Sequence, residues 1–410
     1  MSRFGIRPEK SGSGERKMEV LAIIPARGGS KSIPRKNILP LAGRALLGWT
    51  IAAAQAATTV SRVVVSTDDA EIAAETQREG AEVVWRPAEI SGDAASSESA
   101  LLQVLHFLAE QENYHPDLVV FLQCTSPLTL AEDIDHTVEL LQQEKADTAL
   151  TGTAFHYFVW KVDQQGQAEG VNHDKRFRPR RQDREPQYLE NGAVYVMKTA
   201  GFLEYKHRFF GKTVMSLMPA ERCFEIDEPV DFKIAENLLR EREIQRQLAL
   251  LPAEIAALVL DFDGVMTDNM VIVGDDGRES VRCSRGDGMG IAQLKATGIP
   301  VFVLSSEYNP VVTKRCEKLH VPCIQQVENK VTTLLQLLKE QQLPAAATVF
   351  VGNDINDLDC LAAVGCGVAV RDAQEQVFHQ ARIVLSRNGG AGAVREICDL
   401  ILQKTGKKKS

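Results

Sequence analysis

Short apolar runs alternate with longer stretches in which apolar residues recur every three or four positions. This alternation is played through twice along the chain. The first series opens at VLAIIPARGGSK (20–31) and continues with the strand-like runs VSRVVVSTDD (60–69), AEVVWRP (81–87), DLVVFLQCTS (117–126) and DTALTGT (147–153). Segments of helical period lie between them: LLGWTIAAAQAA, DAEIAAETQREG, ESALLQVLHFLAEQE and AEDIDHTVELLQQEK. The second series has strands at ALVLDFD, GIPVFVLSS, ATVFVGND and CGVAV, and helices at GIAQLKATG, PVVTKRCEKLH, KVTTLLQLLKEQQ and DLDCLAAVG. Strand–helix alternation predicts α/β architecture built from right-handed βαβ units, with mostly parallel sheets. Residues 234–256 separate the series. They are highly charged, helix-forming and end near Pro252, which puts the expected boundary at 248. The domains are then 18–248 and 249–410, behind a polar extension at 1–17.

Composition narrows the classes. Over 410 residues, 44% hydrophobic and 25% charged positions fit a globular chain rather than a disordered one. No apolar run approaches the roughly 18 residues of a membrane span, so no membrane association is expected. A net charge of −8 argues against a nucleic-acid partner, so the basic patches address small anions. Eight cysteines without CxxC spacing suit reduced thiols in the cytoplasm better than a disulfide framework or a zinc site.

Ligands of parallel sheets sit beyond the carboxyl ends of the strands, and each series runs there straight into a polar motif. The first motif spans Pro25 to Asn37. Its glycines let backbone N–H groups approach an anion, and Arg27, Lys31, Arg35 and Lys36 bring more positive charge than one phosphate needs. A triphosphate matches better. The Walker A pattern is excluded by Pro25 and Ser30. IIPARGGSKSIPRKNI resembles the signature of the CMP-sialic acid synthetases. STDD (66–69), WRPAEISGDAASSES (85–99), LQCTSPL (122–128), RRQD (180–183), NGAVYV (191–196) and EIDEPVDF (225–232) resemble further family segments in the family order, over roughly residues 18–240. The resemblance implies a nucleotidyltransferase with a mostly parallel Rossmann-like sheet, CTP and a sialic acid as substrates, and Mg2+. It implies that Arg27, Lys31 and Lys36 hold the CTP phosphates, with Arg27 and Lys31 taking part in catalysis. Asn37, Arg86 and Ser97 would contact the cytidine part, Gln123 the sugar, and Lys161 and Arg181 its carboxylate or the phosphates. An acidic pair spaced two apart, Glu225 and Asp227, would hold magnesium; alternate residues of a strand share a face. Glutamate at 225 departs from the commoner aspartate, as does Ser32 from a glycine.

The second motif is DFDGVMTD, where Asp261 and Asp263 follow an apolar strand closely enough to serve one reacting centre, one as nucleophile and the other handling protons. Ser305 ends the next strand, Lys330 opens a helix, and VGNDINDLD brings Asp354 and Asp357. In this order the pieces resemble the haloacid dehalogenase superfamily. DFDGVMTD, DGMGI (287–291) and GGAGAVRE (389–396) resemble its capless KDO-8-phosphate phosphatase branch, over roughly 256–405. The resemblance implies a Rossmannoid domain in which Asp261 forms an aspartyl-phosphate and Asp263 is acid and base. Ser305 and Lys330 would bind the phosphoryl group. Asp261, the carbonyl of Asp263, and Asp354 would hold Mg2+, with Asp357 steadying Lys330 or a metal-bound water. Asn353 replaces the first residue of the branch's Asp-Asp pair. Arg285 and Arg395 are candidates for a substrate carboxylate or an oligomer interface.

Joined in one chain, the two halves imply a bifunctional enzyme. The second would hydrolyse a sialic acid 9-phosphate (of KDN or N-acetylneuraminate), and the first would activate the freed sugar with CTP. The alternatives are KDO-specific activity in both halves, or a silent C-terminal oligomerisation module. The resemblances imply a homo-oligomer, a dimer or a tetramer.

Overall fold

The computed structural model describes residues 18–29, 32–92 and 95–406. The expected extension at 1–17 lies outside them. The chain divides into two compact units between Arg240 and Glu241. This division and the expected one near 248 both fall within one helix, Pro229–Leu250.

The first unit is built on a seven-stranded sheet. Its strands are β1 (Val20–Pro25), β2 (Arg62–Thr67), β3 (Glu82–Trp85), β4 (Leu118–Leu122), β5 (Thr148–Phe155), β6 (Gln187–Lys198) and β7 (Thr213–Leu217), in the spatial order β7-β5-β6-β4-β1-β2-β3. All neighbours are parallel except β6, which runs antiparallel to both β4 and β5. The two-residue period of the strands builds two cores at once. Val20, Ala22 and Ile24 pack on one face with Leu47, Ile51 and Ile134, whereas Leu21 and Ile23 pack on the other with Leu101, Val104 and Leu108. Helices α1 (Leu46–Ala56), α2 (Ala70–Arg78), α3 (Ser97–Glu112) and α4 (Ala131–Gln143) are the connections the periodicity foresees. The strands β6 and β7, helix α5 (Thr199–Tyr205) and the small hairpin Trp160–Val162/Ala168–Gly170 carry no comparably clear apolar pattern, and sequence reasoning left them out. Residues 223–228 are an irregular extended segment leading to α6 (Pro229–Leu250), not a strand.

The second unit carries a six-stranded sheet, parallel throughout. Its members are β8 (Ala257–Asp261), β11 (Val301–Leu304), β12 (Cys323–Ile324), β13 (Thr348–Gly352), β14 (Cys366–Ala369) and β15 (Ile383–Val384), ordered β12-β11-β8-β13-β14-β15. Between β8 and β11 stands a separate antiparallel hairpin of β9 (Thr267–Val273) and β10 (Glu279–Cys283). Leu258 and Leu260 face a core shared with α7 (Arg285–Lys295) and α12 (Ala393–Thr405). Ala257 and Val259 face another, shared with α9 (Lys330–Glu340), α10 (Leu358–Ala363) and α11 (Glu375–Gln380). Helix α8 (Pro310–Leu319) starts as Asn309-Pro310 suggests: the Asn309 side chain caps it and proline takes the first turn.

Candidate functional site

In the first unit the chain leaves β1 at Pro25 and turns at once into the basic loop. The Asn37 side-chain amide donates to the Arg27 carbonyl (3.1 Å), which closes the loop on itself, and the Arg27 guanidinium reaches the Gly92 carbonyl (3.3 Å). Two carboxylates at the end of β2 hold the loop from beneath. The Gly28 N–H donates to Asp68 Oδ1 (3.0 Å), and Arg35 pairs with Asp69 (3.3 Å) and with Glu71 (2.8 Å). Arg86, just past β3, donates to the Ser66 hydroxyl (3.1 Å) and carbonyl (2.7 Å). Burial lowers its pKa; nearby Asp68 opposes this and Arg27 adds to it. Lys36 is buried, and its ammonium donates to the Ile226 carbonyl (2.7 Å) and lies 3.8 Å from Asp227. Lys36 and Arg86 both act on the thiol of Cys124 behind β4, which burial nonetheless pushes up to about 12. Arg27, Lys36, Asn37 and Arg86 therefore lie beyond the carboxyl ends of β1, β2 and β3, and Gln123 follows β4 directly. Lys31 lies outside the described residues.

The acidic pair is supplied without a ladder. Ile226 is fully buried and donates its N–H to the Thr125 carbonyl (2.8 Å), while Glu225 and Asp227 flank it, half-buried and exposed. Burial, reinforced by the charges of Asp227 and Glu190, pushes Glu225 up to about 7. Gly192 in the bulge of β6 has φ +62, and a Cβ there would collide with the Glu225 carboxylate. Two further expected positions come from later segments of the chain. Lys161 lies on the small hairpin and pairs with Glu169 (3.3 Å), and Arg181 is exposed at the start of a short 3-10 turn. Ser97 is the first residue of α3, whose cap is Ser96.

The second centre is drier and more tightly knit. Asp261 ends β8 at the middle of the sheet. Lys330 opens α9 and places its ammonium 2.8 Å from Asp261 and 2.8 Å from Asp357, all three buried. Burial works against the Lys330 charge, but the two carboxylates outweigh it and hold its pKa above the ordinary value. Burial and the charge of Asp357 push Asp261 up, against the pull of Lys330. The second oxygen of Asp357 accepts the N–H groups of Asn353 (2.9 Å) and Asp354 (3.3 Å), tying the loop after β13 to the lysine. Asp263 is raised as well, chiefly by burial and then by Glu307, which suits a carboxyl that holds a proton. Ser305 is buried at the end of β11, and its hydroxyl donates to the Glu307 carbonyl (3.4 Å). The turn after Asp263 is pinned by Thr267, whose hydroxyl accepts the Gly264 N–H (3.0 Å).

One expected neighbour is replaced. Asp354 caps the turn 355–357, accepting the Ile355 N–H (2.7 Å), and it is Asn353 that faces Asp261. With the Asn353 amide oriented by its hydrogen-bonding partners, its nitrogen donates to the Asp263 carbonyl (2.9 Å) and to Asp261 Oδ2 (3.1 Å). Gly264 beside it has φ +79, and a Cβ there would strike that amide. Among the described residues no three His, Cys, Asp or Glu side chains converge as a metal cradle. Arg395 is engaged elsewhere, paired with Asp399 (2.7 Å) on α12, and Arg285 is exposed at the start of α7. Sequence reasoning passed over the loop-holding role of Asp68 and Asp69, although both lie in the quoted STDD, and over Thr267, which lies in DFDGVMTD.

Sheet order and strand-end motifs define a nucleotidyltransferase unit followed by a hydrolase unit. A Cytidylyltransferase family model matches residues 21–256, and a haloacid dehalogenase-like hydrolase model matches residues 311–397. The chain belongs to the cytidylyltransferase family and carries a haloacid dehalogenase-like domain behind it. N-acylneuraminate cytidylyltransferase A of Danio rerio is 30% identical over 397 residues, 95% of this chain and 90% of the relative. N-acylneuraminate cytidylyltransferase of Oncorhynchus mykiss is 29% identical over 411 residues, 97% and 91% of the two chains. The 3-deoxy-D-manno-octulosonate 8-phosphate phosphatase KdsC of Escherichia coli (strain K12) is 34% identical over 154 residues, 37% of this chain and 82% of the relative.

Proposed function

We propose that this chain activates a sialic acid, N-acetylneuraminate or KDN, with CTP, and that its second unit hydrolyses a sialic acid 9-phosphate. The observation that carries the first half is the alignment with a relative named as an N-acylneuraminate cytidylyltransferase over 95% of the chain. In the reaction the sugar 2-hydroxyl oxygen attacks the α-phosphorus of CTP. The new P–O bond forms as the hydroxyl gives up its proton to water, the α–β anhydride bond breaks, and pyrophosphate leaves with the electron pair. Such a step depends on positioning and charge neutralisation. Arg27, Lys31 and Lys36 are assigned to the phosphates, Asn37, Arg86 and Ser97 to the cytidine part, Gln123 to the sugar, and Lys161 and Arg181 to its carboxylate or the phosphates. The donor set fits Mg2+: although Lys36 lies near Asp227, burial and the charges of Asp227 and Glu190 still push Glu225 up, and a divalent cation would supply the further positive charge. Glu225 and Asp227 would hold it, and it would neutralise triphosphate charge.

For the second half, Asp261 would attack the phosphorus, and the ester P–O bond would break as Asp263 protonates the sugar oxygen. Water, deprotonated by Asp263, then releases phosphate. Lys330 and Ser305 are assigned to the phosphoryl oxygens. The Asp261 carboxylate, the Asp263 carbonyl and the amide oxygen of Asn353 are oxygen donors of the kind Mg2+ takes, and the cation would balance phosphoryl charge. We assign the chain to the cytoplasm; its eight free thiols support that. No described helix is long and apolar enough to cross a membrane.

The test is the full chain with CTP and Mg2+ against a panel of sugar acids. Pyrophosphate release is expected with N-acetylneuraminate or KDN; release with KDO alone overturns the sugar assignment. Phosphate release is expected from KDN-9-phosphate, and no turnover of it or of KDO-8-phosphate removes the second half. One observation favours a second reading, in which the C-terminal unit serves assembly into a dimer or tetramer without chemistry. The β9–β10 hairpin exposes Met270, Val271, Ile272 and Val273 in a row.

A further inference from the structure

The amide of Asn353 lies between two oxygens that both want a positive partner, Asp261 Oδ2 at 3.1 Å and the Asp263 carbonyl at 2.9 Å. One is a carboxylate oxygen buried at the end of a strand, the other a main-chain oxygen two residues on. Lys330 does not serve that side, because its ammonium is taken up by Asp261 Oδ1 and Asp357. The amide NH2 donates on that flank. Its place is fixed from three directions. The Asn353 N–H is held by Asp357 (2.9 Å), its carbonyl accepts the Gln374 N–H (2.9 Å), and Gly264 leaves room for the side chain by having none of its own.

We propose that Asn353 keeps the cation seat of the second centre for itself: its NH2 bridges Asp261 and Asp263 when no cation is bound, and must turn away before one can enter. The proposal rests on the phosphatase reading of this site. A terminal amide is nearly symmetric in shape. A half-turn about its last torsion exchanges NH2 for oxygen without moving the backbone. Loading therefore gives up two hydrogen bonds and gains a neutral oxygen. An aspartate at 353 would instead bring a full negative charge and no competing donor. Affinity of oxygen sites for hard cations rises with the number of charged ligands. The chain's own residue thereby makes the centre weak in cations, so that ambient Mg2+, and not only substrate, governs whether it works.

The experiment titrates Mn2+ into the full chain and reads free Mn2+ by electron paramagnetic resonance, in a background of Asp227→Asn that weakens the first centre. Asn353→Asp is expected to add a site binding about tenfold or more tightly than the parent's second centre. Without cation it should melt below the parent, because a third carboxylate joins Asp261 and Asp357, and Mn2+ should raise its melting temperature more than the parent's. Equal affinities in the two chains overturn the proposal. Asn353→Ala covers a failure of the aspartate variant to fold. In the 15N-labelled parent, the side-chain NH2 pair that Asn353→Ala removes from the spectrum should shift when Mg2+ is added, and a pair that Mg2+ leaves unmoved overturns it. An aspartate variant that gains Mn2+ yet releases phosphate from no sugar acid phosphate removes the phosphatase reading and leaves this one standing.

Discussion

Among the described residues Lys330 is the cation paired with two buried carboxylates, and that makes its removal costly. Lys330→Met keeps the length of the side chain but strands Asp261 and Asp357 in a dry environment. Breaking such a set by deleting one partner costs about 3–5 kcal/mol, so the urea midpoint of the second unit should fall accordingly. An unchanged midpoint would mean that the carboxylates are protonated or hydrated without it. A different single residue sets part of the acid limit of the first unit. Asp135 accepts four hydrogen bonds, from the N–H and hydroxyl of both Thr58 and Thr59 (2.6–3.0 Å). Burial would raise its pKa, but these bonds win and hold it below the usual aspartate value. Its stabilisation is then fully present above the unfolded value of about 4 and is lost as pH falls through the lower folded value. Asp135→Asn should lower the melting temperature at neutral pH. The gap to the parent should close below about pH 4; a gap constant down to pH 2 would contradict the assignment.

Secondary-structure elements place the chemistry through their ends. Asn329 caps α9 by accepting the Thr332 N–H (3.0 Å), and the next residue is Lys330. Loss of a cap costs about 1 kcal/mol. Here it should also loosen the ammonium between its two carboxylates. Asn329→Ala is expected to slow phosphate release severalfold while leaving pyrophosphate release from CTP as it was. Equal losses in both assays would point to general unfolding instead. The same principle explains what was readable beforehand. Strands β1 and β8 and the helices that follow the first-series strands announce themselves by period, and the motifs stand directly behind them. The β9–β10 hairpin and β6 lack that contrast. The hairpin's apolar residues are exposed, and β6 carries Glu190, Asn191 and Gly192 through a bulge, so their patterning does not match a strand with one buried face.

Across the whole molecule the telling element is α6, which belongs to both units. Its last turns and the residue after it pack into the second: Leu248 and Leu251 lie in that core, with Ile244 and Leu250 packed against it, and Lys404 donates to the Leu248 carbonyl (2.9 Å). A fragment starting at 241 should therefore fold as the second unit, whereas one starting at 252 loses these side chains. At about 2–5 kcal/mol for each large apolar group removed, the shorter fragment should unfold at distinctly lower urea or fail to fold. Equal midpoints would show that the helix end is dispensable. Charge density and Pro252 mark this stretch as a linker helix, but which of its faces is apolar toward which core is settled only by the packing.

Residue order alone was enough for the α/β class, the two strand–helix series, the position of both polar motifs at strand ends and the residue types they offer, because these follow from local period and from chain adjacency. Which side chains meet could not be had that way. Lys330 and Asp357 stand 69 and 96 positions beyond Asp261 and reach it only because β8 lies between β11 and β13. Lys36 reaches Ile226 across 190 positions. The choice of Asn353 over Asp354 at the Asp261 carboxylate turned on one residue of register in a tight turn. A capping hydrogen bond claimed one side chain and left the other to face the centre, a competition visible only once the backbone is in place.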